Sequence, residues 1–283
     1  MKADYLTPLH LDDIVGMALR EDIGPGDKTT TCLVDPGWSG RATVIAKEEL
    51  MFAGLSPFKR VFELLSPATE FLFIEREGSI VEPGAVVAEF RGPLAALLTG
   101  ERTALNFCQH LSGIATLTAQ FVERIKAFGV MLLDTRKTIP GLRMLEKEAV
   151  RIGGGTNHRI GLFDGILIKN NHISVSGGIT QAVKRAQEKR SLHMKIEVEV
   201  QTIQELIEAL EAGADMVLLD NMDIEEIRKA VAITGGSVPL EVSGNITIDT
   251  IEEFAQTGVN YISVGAITHS ARAVDLSMRV ARE

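Results

Sequence analysis

The chain has 283 residues, 45% hydrophobic and 24% charged, enough for one large or two ordinary globular domains with a substantial core. Its 38 acidic and 29 basic residues give a formal net charge of −9, which repels phosphate backbones and argues against nucleic-acid or anionic-membrane binding. The two cysteines, Cys32 and Cys108, form no C-x-x-C pair, which argues against a disulfide framework and a zinc site on paired cysteines.

The first residues, Met1–Ile14, mix charges with Pro8 and lack the basic-then-apolar order of a signal peptide. No apolar run approaches the ~18 residues of a membrane span, so a cytoplasmic protein is expected. Leu9–Glu21 is predicted helical, with Leu11, Ile14, Val15, Ala18 and Leu19 on one face, and Gly24-Pro25-Gly26-Asp27 stops it. Ala42–Ala46 and Phe71–Ile74 read as strands, and Gly78–Gly92 as a hairpin turning at Pro83-Gly84. Residues 94–128 lack proline and read as helix, with a break or kink at Ser112-Gly113. A domain boundary is expected there, giving domains 1–113 and 114–283, with a C-terminal helix packing back on the first.

Beyond Gly129 the pattern becomes repetitive. Short apolar runs each end in a small or polar residue: Val130–Leu133 before Asp134, Gly165–Ile168 before Lys169, and Lys195–Val198 before Glu199. Met216–Leu219 precedes Asp220, Leu240–Val242 precedes Ser243, and Tyr261–Val264 precedes Gly265. From Glu199 onward the run ends recur every 21 to 23 residues, the length of one βα unit. Thr202–Glu211, Asp223–Ala232 and Thr247–Gln256 read as the intervening amphipathic helices. Parallel strands with exterior helices form either a barrel or an open doubly wound sheet. Polar residues at the ends of many strands favour the barrel, because an open sheet concentrates its site at one switch point.

Those strand ends carry the chemistry. Arg136 and Lys137 follow the first run within Asp134-Thr135-Arg136-Lys137-Thr138; His158-Arg159 follows Gly153-Gly154-Gly155; Lys169 ends the second run. In a barrel these cations converge on one mouth, where they require an anionic ligand. Arginine offers a planar fork for carboxylate or phosphate. Glu199 and Asp220 could hold Mg²⁺ or sugar hydroxyls; the plainer alternative is that each neutralises a neighbouring lysine. Ser243-Gly244-Asn245 and Gly265-Ala266 suit backbone contacts to phosphate. The glycine triplet is either a hinge or a helix C-cap. His10, His110, His193 and His269 have no local partners and read as ordinary polar residues, and Arg102 as a solvated helix residue.

At these residues the chain resembles the quinolinate phosphoribosyltransferase family. The resemblance is carried by Glu21–Gly24 with Gly26-Asp27, Glu101–Asn106, Asp134–Thr138, Gly154-Gly155 through Arg159, and Lys169–His172. It continues in Glu197–Glu199, Leu219–Met222, Glu241–Asn245 and Ser263–Ala266. It implies an α/β fold: an N-terminal α/β domain and an incomplete, open, seven-stranded α/β barrel. It implies a homodimer with shared active sites, each barrel mouth covered by the partner's N-terminal domain. The reaction implied joins quinolinate and phosphoribosyl pyrophosphate, with Mg²⁺, giving nicotinate mononucleotide, CO₂ and pyrophosphate. Carried over by position, Arg136, His158, Arg159 and Lys169 surround quinolinate, with Arg102 from the partner, and Thr135 is a further substrate-binding residue. Lys137 faces the phosphoribosyl and pyrophosphate groups. Glu199 and Asp220 serve ribose and Mg²⁺, directly or through water. Ser243, Gly244, Asn245, Val264, Gly265 and Ala266 hold phosphate. Lys137, Lys169, Glu199 and Asp220 are the catalytic candidates. The competing readings are a related phosphoribosyltransferase acting on another acid, a Schiff-base aldolase using Lys169, and a non-enzymatic binding protein.

Overall fold

The structure, a computed structural model, describes residues 7–283, which pack as two compact units. The first comprises the chain up to Ala119 together with Ile139–Gly154 and Ser270–Glu283; the second comprises Gln120–Thr138 and Gly155–His269.

In the first unit, α1 (Pro8–Ile23) starts at Thr7, whose hydroxyl accepts the His10 N–H at 3.3 Å, and is closed by Gly24 at φ 50°. Asp27 then caps α2 (Lys28–Leu33), accepting the Thr30 N–H at 2.9 Å. The remaining elements are β1 (Ser39–Ala46), β2 (Leu50–Met51), α3 (Leu55–Leu65), β3 (Glu70–Ile74), β4 (Ile80–Val81), β5 (Val86–Pro93), α4 (Leu94–Ile125), α5 (Arg143–Ile152) and β12 (Leu276–Arg282). Strands β12-β1-β5-β3 form an antiparallel sheet in that order. Helix α3 packs Phe58 and Phe62 against Phe71 and Phe90 of that sheet, with ring centroids 4.6–6.5 Å apart.

Three expectations change here. Gly78–Gly92 is not a hairpin: β4 pairs with β2, and β5 pairs with β1 and β3. Helix α4 runs unbroken through Ser112-Gly113 for 32 residues. The small residues there serve close packing: a Cβ on Gly113 would sit 2.1 Å from the Arg272 carbonyl oxygen, and Ser112 Oγ bonds both Ala53 N–H and C=O. Instead of a helix, the C-terminal segment forms β12, because its alternation matches the free edge of β1. By packing, the units divide within α4, after Ala119, and α5 belongs to the first unit.

In the second unit the parallel strands are β6 (Met131–Leu133), β7 (Ile166–Ile168), β8 (Ile196–Val200), β9 (Met216–Asp220), β10 (Leu240–Ser243) and β11 (Tyr261–Ser263). Their spatial order is β6-β11-β10-β9-β8-β7. Beside β6, Thr156 forms an isolated parallel bridge with Leu133, its N–H reaching the Leu132 carbonyl at 2.8 Å. The expected seventh strand is thus a single bridge, and the segment running from it to β7 has no ladder of its own. Helices α6 (Asn170–Ser176), α7 (Ile179–Lys189), α8 (Ile203–Glu211), α9 (Ile224–Thr234), α10 (Ile251–Ala255) and α11 (Ala266–His269) complete the unit. In α7, α8 and α9 the apolar stripe is the buried one. Along β8 the alternation puts Ile196, Val198 and Val200 on one face and Glu197 and Glu199 on the other.

Candidate active site

The first unit holds a cavity of about 520 Å³, but its charged lining is satisfied internally. Arg60 is bound by Asp12 at 2.6 and 3.0 Å, and Glu77 accepts the Gly54 and Leu55 N–H groups. The second unit holds one of about 550 Å³ at the carboxyl ends of its strands, a size that suits a small substrate.

Each strand end contributes. Thr135, Arg136 and Lys137 come from the segment after β6, His158 and Arg159 from the segment before β7, and Lys169 from the end of β7. Glu199 and Asp220 come from β8 and β9. Ser243, Gly244 and Asn245 follow β10, and Val264, Gly265 and Ala266 follow β11. Arg102 is different: it is an exposed residue of α4 in the first unit and does not line this cavity.

Electrostatics sets the site apart from the chain as a whole. Arg136, Lys137, Arg159 and Lys169 face Glu199, Asp220 and Glu241, a cationic excess in a chain of net charge −9. Burial, then the like charge of Arg136, pushes the Arg159 guanidinium below its ordinary value. Lys169 pairs with Oε2 of Glu199, so for that carboxylate the plain lysine partnership holds. Asp220 accepts instead from Gln201 Nε2 at 3.2 Å. The other oxygen of each carboxylate makes no hydrogen bond among the described residues.

The phosphate-type loops are built for close approach. Gly244 sits at φ 110°, and a Cβ there would lie 2.1 Å from Asn221 Oδ1. Asn221 and Asn245 both adopt positive φ, and Asn245 Nδ2 donates to Asn221 Oδ1 at 3.3 Å. A Cβ on Gly265 would lie 2.9 Å from Lys137 Cδ. The Val264 N–H is already taken by the Leu133 carbonyl at 3.0 Å, so this amide is not available to a phosphate.

Beneath the cavity lies a cluster that the sequence reading passed over. His158 Nε2 is 3.1 Å from Glu197 Oε2 and 3.3 Å from Glu241 Oε2, and both carboxylates are buried. The signal was available. Glu197 lies two residues before Glu199 and Glu241 two before Ser243, which puts each on the site-facing side of its strand. Burial alone would lower the His158 imidazole; the hydrogen bond to Glu197 and then the influence of Glu241 outweigh it and push it to about 10. The Arg159 N–H opposes this, because it donates to Nδ1 at 2.7 Å and needs a lone pair there. While Nδ1 accepts that N–H, the ring proton sits on Nε2, toward the two carboxylates. Burial raises the Glu197 carboxyl, the His158 hydrogen bond lowers it, and the Glu241 charge raises it further.

Two other histidines also gain partners. His110 Nε2 lies 2.9 Å from Glu146, 36 residues away, and His10 Nδ1 lies 3.2 Å from Thr7 Oγ1. Gly153 proves to be the C-cap of α5.

Residues 114–279 match the family model described as quinolinate phosphoribosyl transferase, C-terminal domain, and residues 27–112 match its N-terminal domain. The chain belongs to the quinolinate phosphoribosyltransferase family. Its relatives in the family include the probable nicotinate-nucleotide pyrophosphorylase [carboxylating] of Bacillus subtilis (strain 168), 44% identical over 96% of this chain and 94% of that protein. The chloroplastic nicotinate-nucleotide pyrophosphorylase [carboxylating] of Oryza sativa subsp. japonica is 40% identical over 96% of this chain and 78% of that protein. The solved nicotinate-nucleotide pyrophosphorylase of Francisella tularensis superposes with a TM-score of 0.94 at 44% identity, covering 98% of each chain. The α/β fold expected for this family is the fold observed. No helix among the described residues is long and apolar enough to cross a membrane.

Proposed function

We propose that the strand-end cavity is the active site in which this phosphoribosyltransferase joins quinolinate to the ribose of phosphoribosyl pyrophosphate and then removes CO₂. The activity follows from family membership: transfer with decarboxylation, giving nicotinate mononucleotide and pyrophosphate for NAD biosynthesis. The observation that carries the assignment to this cavity is the convergence of Arg136, Lys137, Arg159 and Lys169 on one strand-end mouth, a cationic set that a dicarboxylate and phosphates neutralise. The pairing of Lys169 with Glu199 argues against the aldolase, which needs that amine free to attack a carbonyl.

In this reading Arg136, Arg159 and Lys169 hold the two quinolinate carboxylates, with Thr135 beside them. Lys137 faces the pyrophosphate. The Ser243–Asn245 and Gly265-Ala266 loops take the 5′-phosphate through backbone N–H groups. Glu199 and Asp220 accept from the ribose hydroxyls and stabilise positive charge developing at C1. The quinolinate nitrogen forms a bond to C1 as the C1–O bond to pyrophosphate breaks. The quaternised ring nitrogen then draws the electron pair of the adjacent carbon–carboxylate bond. CO₂ leaves, and the ring carbon takes a proton. Because cations on that carboxylate retard its loss, the ring nitrogen drives this step.

Hard carboxylate oxygens that are only partly engaged fit Mg²⁺, with Glu199 and Asp220 holding it directly or through water. Such an ion supplies charge neutralisation to the departing pyrophosphate. The family resemblance further supports a cytoplasmic homodimer in which Arg102 enters the partner's site. Incubation of the protein with quinolinate, phosphoribosyl pyrophosphate and Mg²⁺ tests the reading. Nicotinate mononucleotide with equal amounts of CO₂ and pyrophosphate is expected. Pyrophosphate release with a different acid and none with quinolinate would overturn it.

A further inference from the structure

Quinolinate recognition in this reading depends on where the Arg159 guanidinium points, yet Arg159 sits in the segment that has no strand ladder. Between the Thr156 bridge and β7 no strand ladder forms among the described residues, so other bonds must fix residues 157–165. Side chains supply them. Asp134, buried at the end of β6, accepts the His158 N–H at 2.9 Å and Asn157 Nδ2 at 2.6 Å. Asp164 accepts the N–H groups of Ile160 and Gly161 at 2.7 and 2.9 Å. Arg159 Nη1 donates to the Gly165 carbonyl at 3.1 Å.

His158 is the centre of this arrangement. Its Nδ1 accepts the Arg159 N–H, and its Nε2–H points between Glu197 and Glu241. Both ring nitrogens are therefore engaged by the protein, and neither is offered to a substrate carboxylate. The carboxylates below are 7% and 1% exposed; Glu241 Oε2 meets only His158 Nε2, at 3.3 Å, and Glu197 Oε1 and Glu241 Oε1 have no hydrogen-bond partner among the described residues. Buried oxygens left in that condition are costly and call for a reason. The three groups lie within 4.8 Å of one another, as a cation site would. Ligation through Nε2 would need its lone pair while Nδ1 also keeps one, which a neutral imidazole cannot provide. The donor set therefore fits a proton-mediated tie and not a metal.

We propose that Glu197, Glu241 and His158 form a buried strut that fixes the Arg159 backbone and so aims its guanidinium at quinolinate. All three are positioning residues, and His158 is not a donor to the substrate as its place beside the cavity first implies. The strut replaces the missing ladder: it ties β8 and β10 to the one open segment of the barrel wall. The inference rests on Arg159 binding quinolinate, and the test separates the two.

The first measurement uses the intact wild-type protein with ¹⁵N-labelled histidine. His158 should show protonated Nε2 and unprotonated Nδ1, and this pattern should persist when quinolinate is added. A proton appearing on Nδ1 with quinolinate would make His158 a direct donor and overturn the strut. The second is a mutant cycle. Misaiming a binding group by a fraction of an ångström can cost about ten- to a hundredfold. Glu241→Ala should therefore lower kcat/KM for quinolinate about tenfold while the KM for phosphoribosyl pyrophosphate changes less than twofold. Glu241→Gln keeps an acceptor for Nε2–H and should recover most of that loss. In an Arg159→Ala background, Glu241→Ala should add less than about twofold, since it acts through the absent guanidinium. Full additivity, or a stoichiometric metal lost with Glu241, would overturn the strut. Wild-type quinolinate kinetics in folded Arg159→Ala would instead overturn the assignment of Arg159.

Discussion

Replacing Arg159 by alanine separates binding from folding. In the site, truncating one partner of a hydrogen-bonded, desolvated charge pair costs about 2–5 kcal/mol. At about 1.4 kcal/mol per decade, that is roughly thirtyfold to a few thousandfold in kcat/KM. Arg159 is half-buried, so water screens part of the interaction and the loss belongs near the lower end, with a floor of about tenfold. Folding should respond differently. The variant loses the bond from Nη1 to the Gly165 carbonyl, worth about 1–3 kcal/mol for a charged donor. It also escapes the desolvation and the Arg136 repulsion that push its guanidinium below the ordinary value. These effects oppose one another, so the melting temperature should move by only a few degrees, at about 2–4 °C per kcal/mol. Initial rates of nicotinate mononucleotide formation, with each substrate varied in turn, report the first effect, and calorimetry reports the second. The KM for phosphoribosyl pyrophosphate should stay within about twofold. A folded variant with unchanged kcat/KM for quinolinate would refute the reasoning.

Asp220→Ala should spare quinolinate binding and weaken phosphoribosyl pyrophosphate binding in the presence of Mg²⁺; calorimetry giving the reverse would sink the ribose assignment. Mixing Arg102→Ala with Lys169→Ala subunits and allowing exchange should restore roughly a quarter of wild-type activity, because a hybrid dimer with shared sites carries one intact site. Exchange without recovery would place Arg102 in its own chain's site or in none. Asp27 offers a pH test. The Thr30 hydroxyl, then the Thr30 N–H, hold its carboxyl below the ordinary range, burial opposes, and Thr99 assists. Its folded value lies below its unfolded one, so its stabilisation is complete above about pH 4 and vanishes as pH falls through the folded value. Asp27→Asn should be less stable than wild type at pH 7, with the gap narrowing as the pH falls below about 4; an undiminished gap in acid would contradict this.

Local order along the chain was enough for the parallel strands, since each is a short apolar run that repeats with the βα period, and β6 to β11 fall where those runs lie. It was enough for the lining of the candidate site too, because residues that end successive parallel strands must meet at one mouth, as Arg136, Lys169, Glu199, Asp220 and Ser243 do. What tertiary structure decided was pairing over long separations. Nothing local distinguishes the edge of β1 as the place where residues 276–282 add a strand, or prevents residues 78–92 from closing on themselves. Gly113 looks like a helix breaker until the Arg272 carbonyl arrives against it. His110 looks solitary until α5 brings Glu146 within 2.9 Å. The same holds for Glu197 and Glu241. In sequence they are charges inside apolar strands, and only the barrel, by setting their inward faces against one imidazole, gives them a partner. Periodicity is a property of neighbours along the chain and survives in the sequence; a hydrogen bond across 39 residues depends on the folded path, which no local pattern encodes.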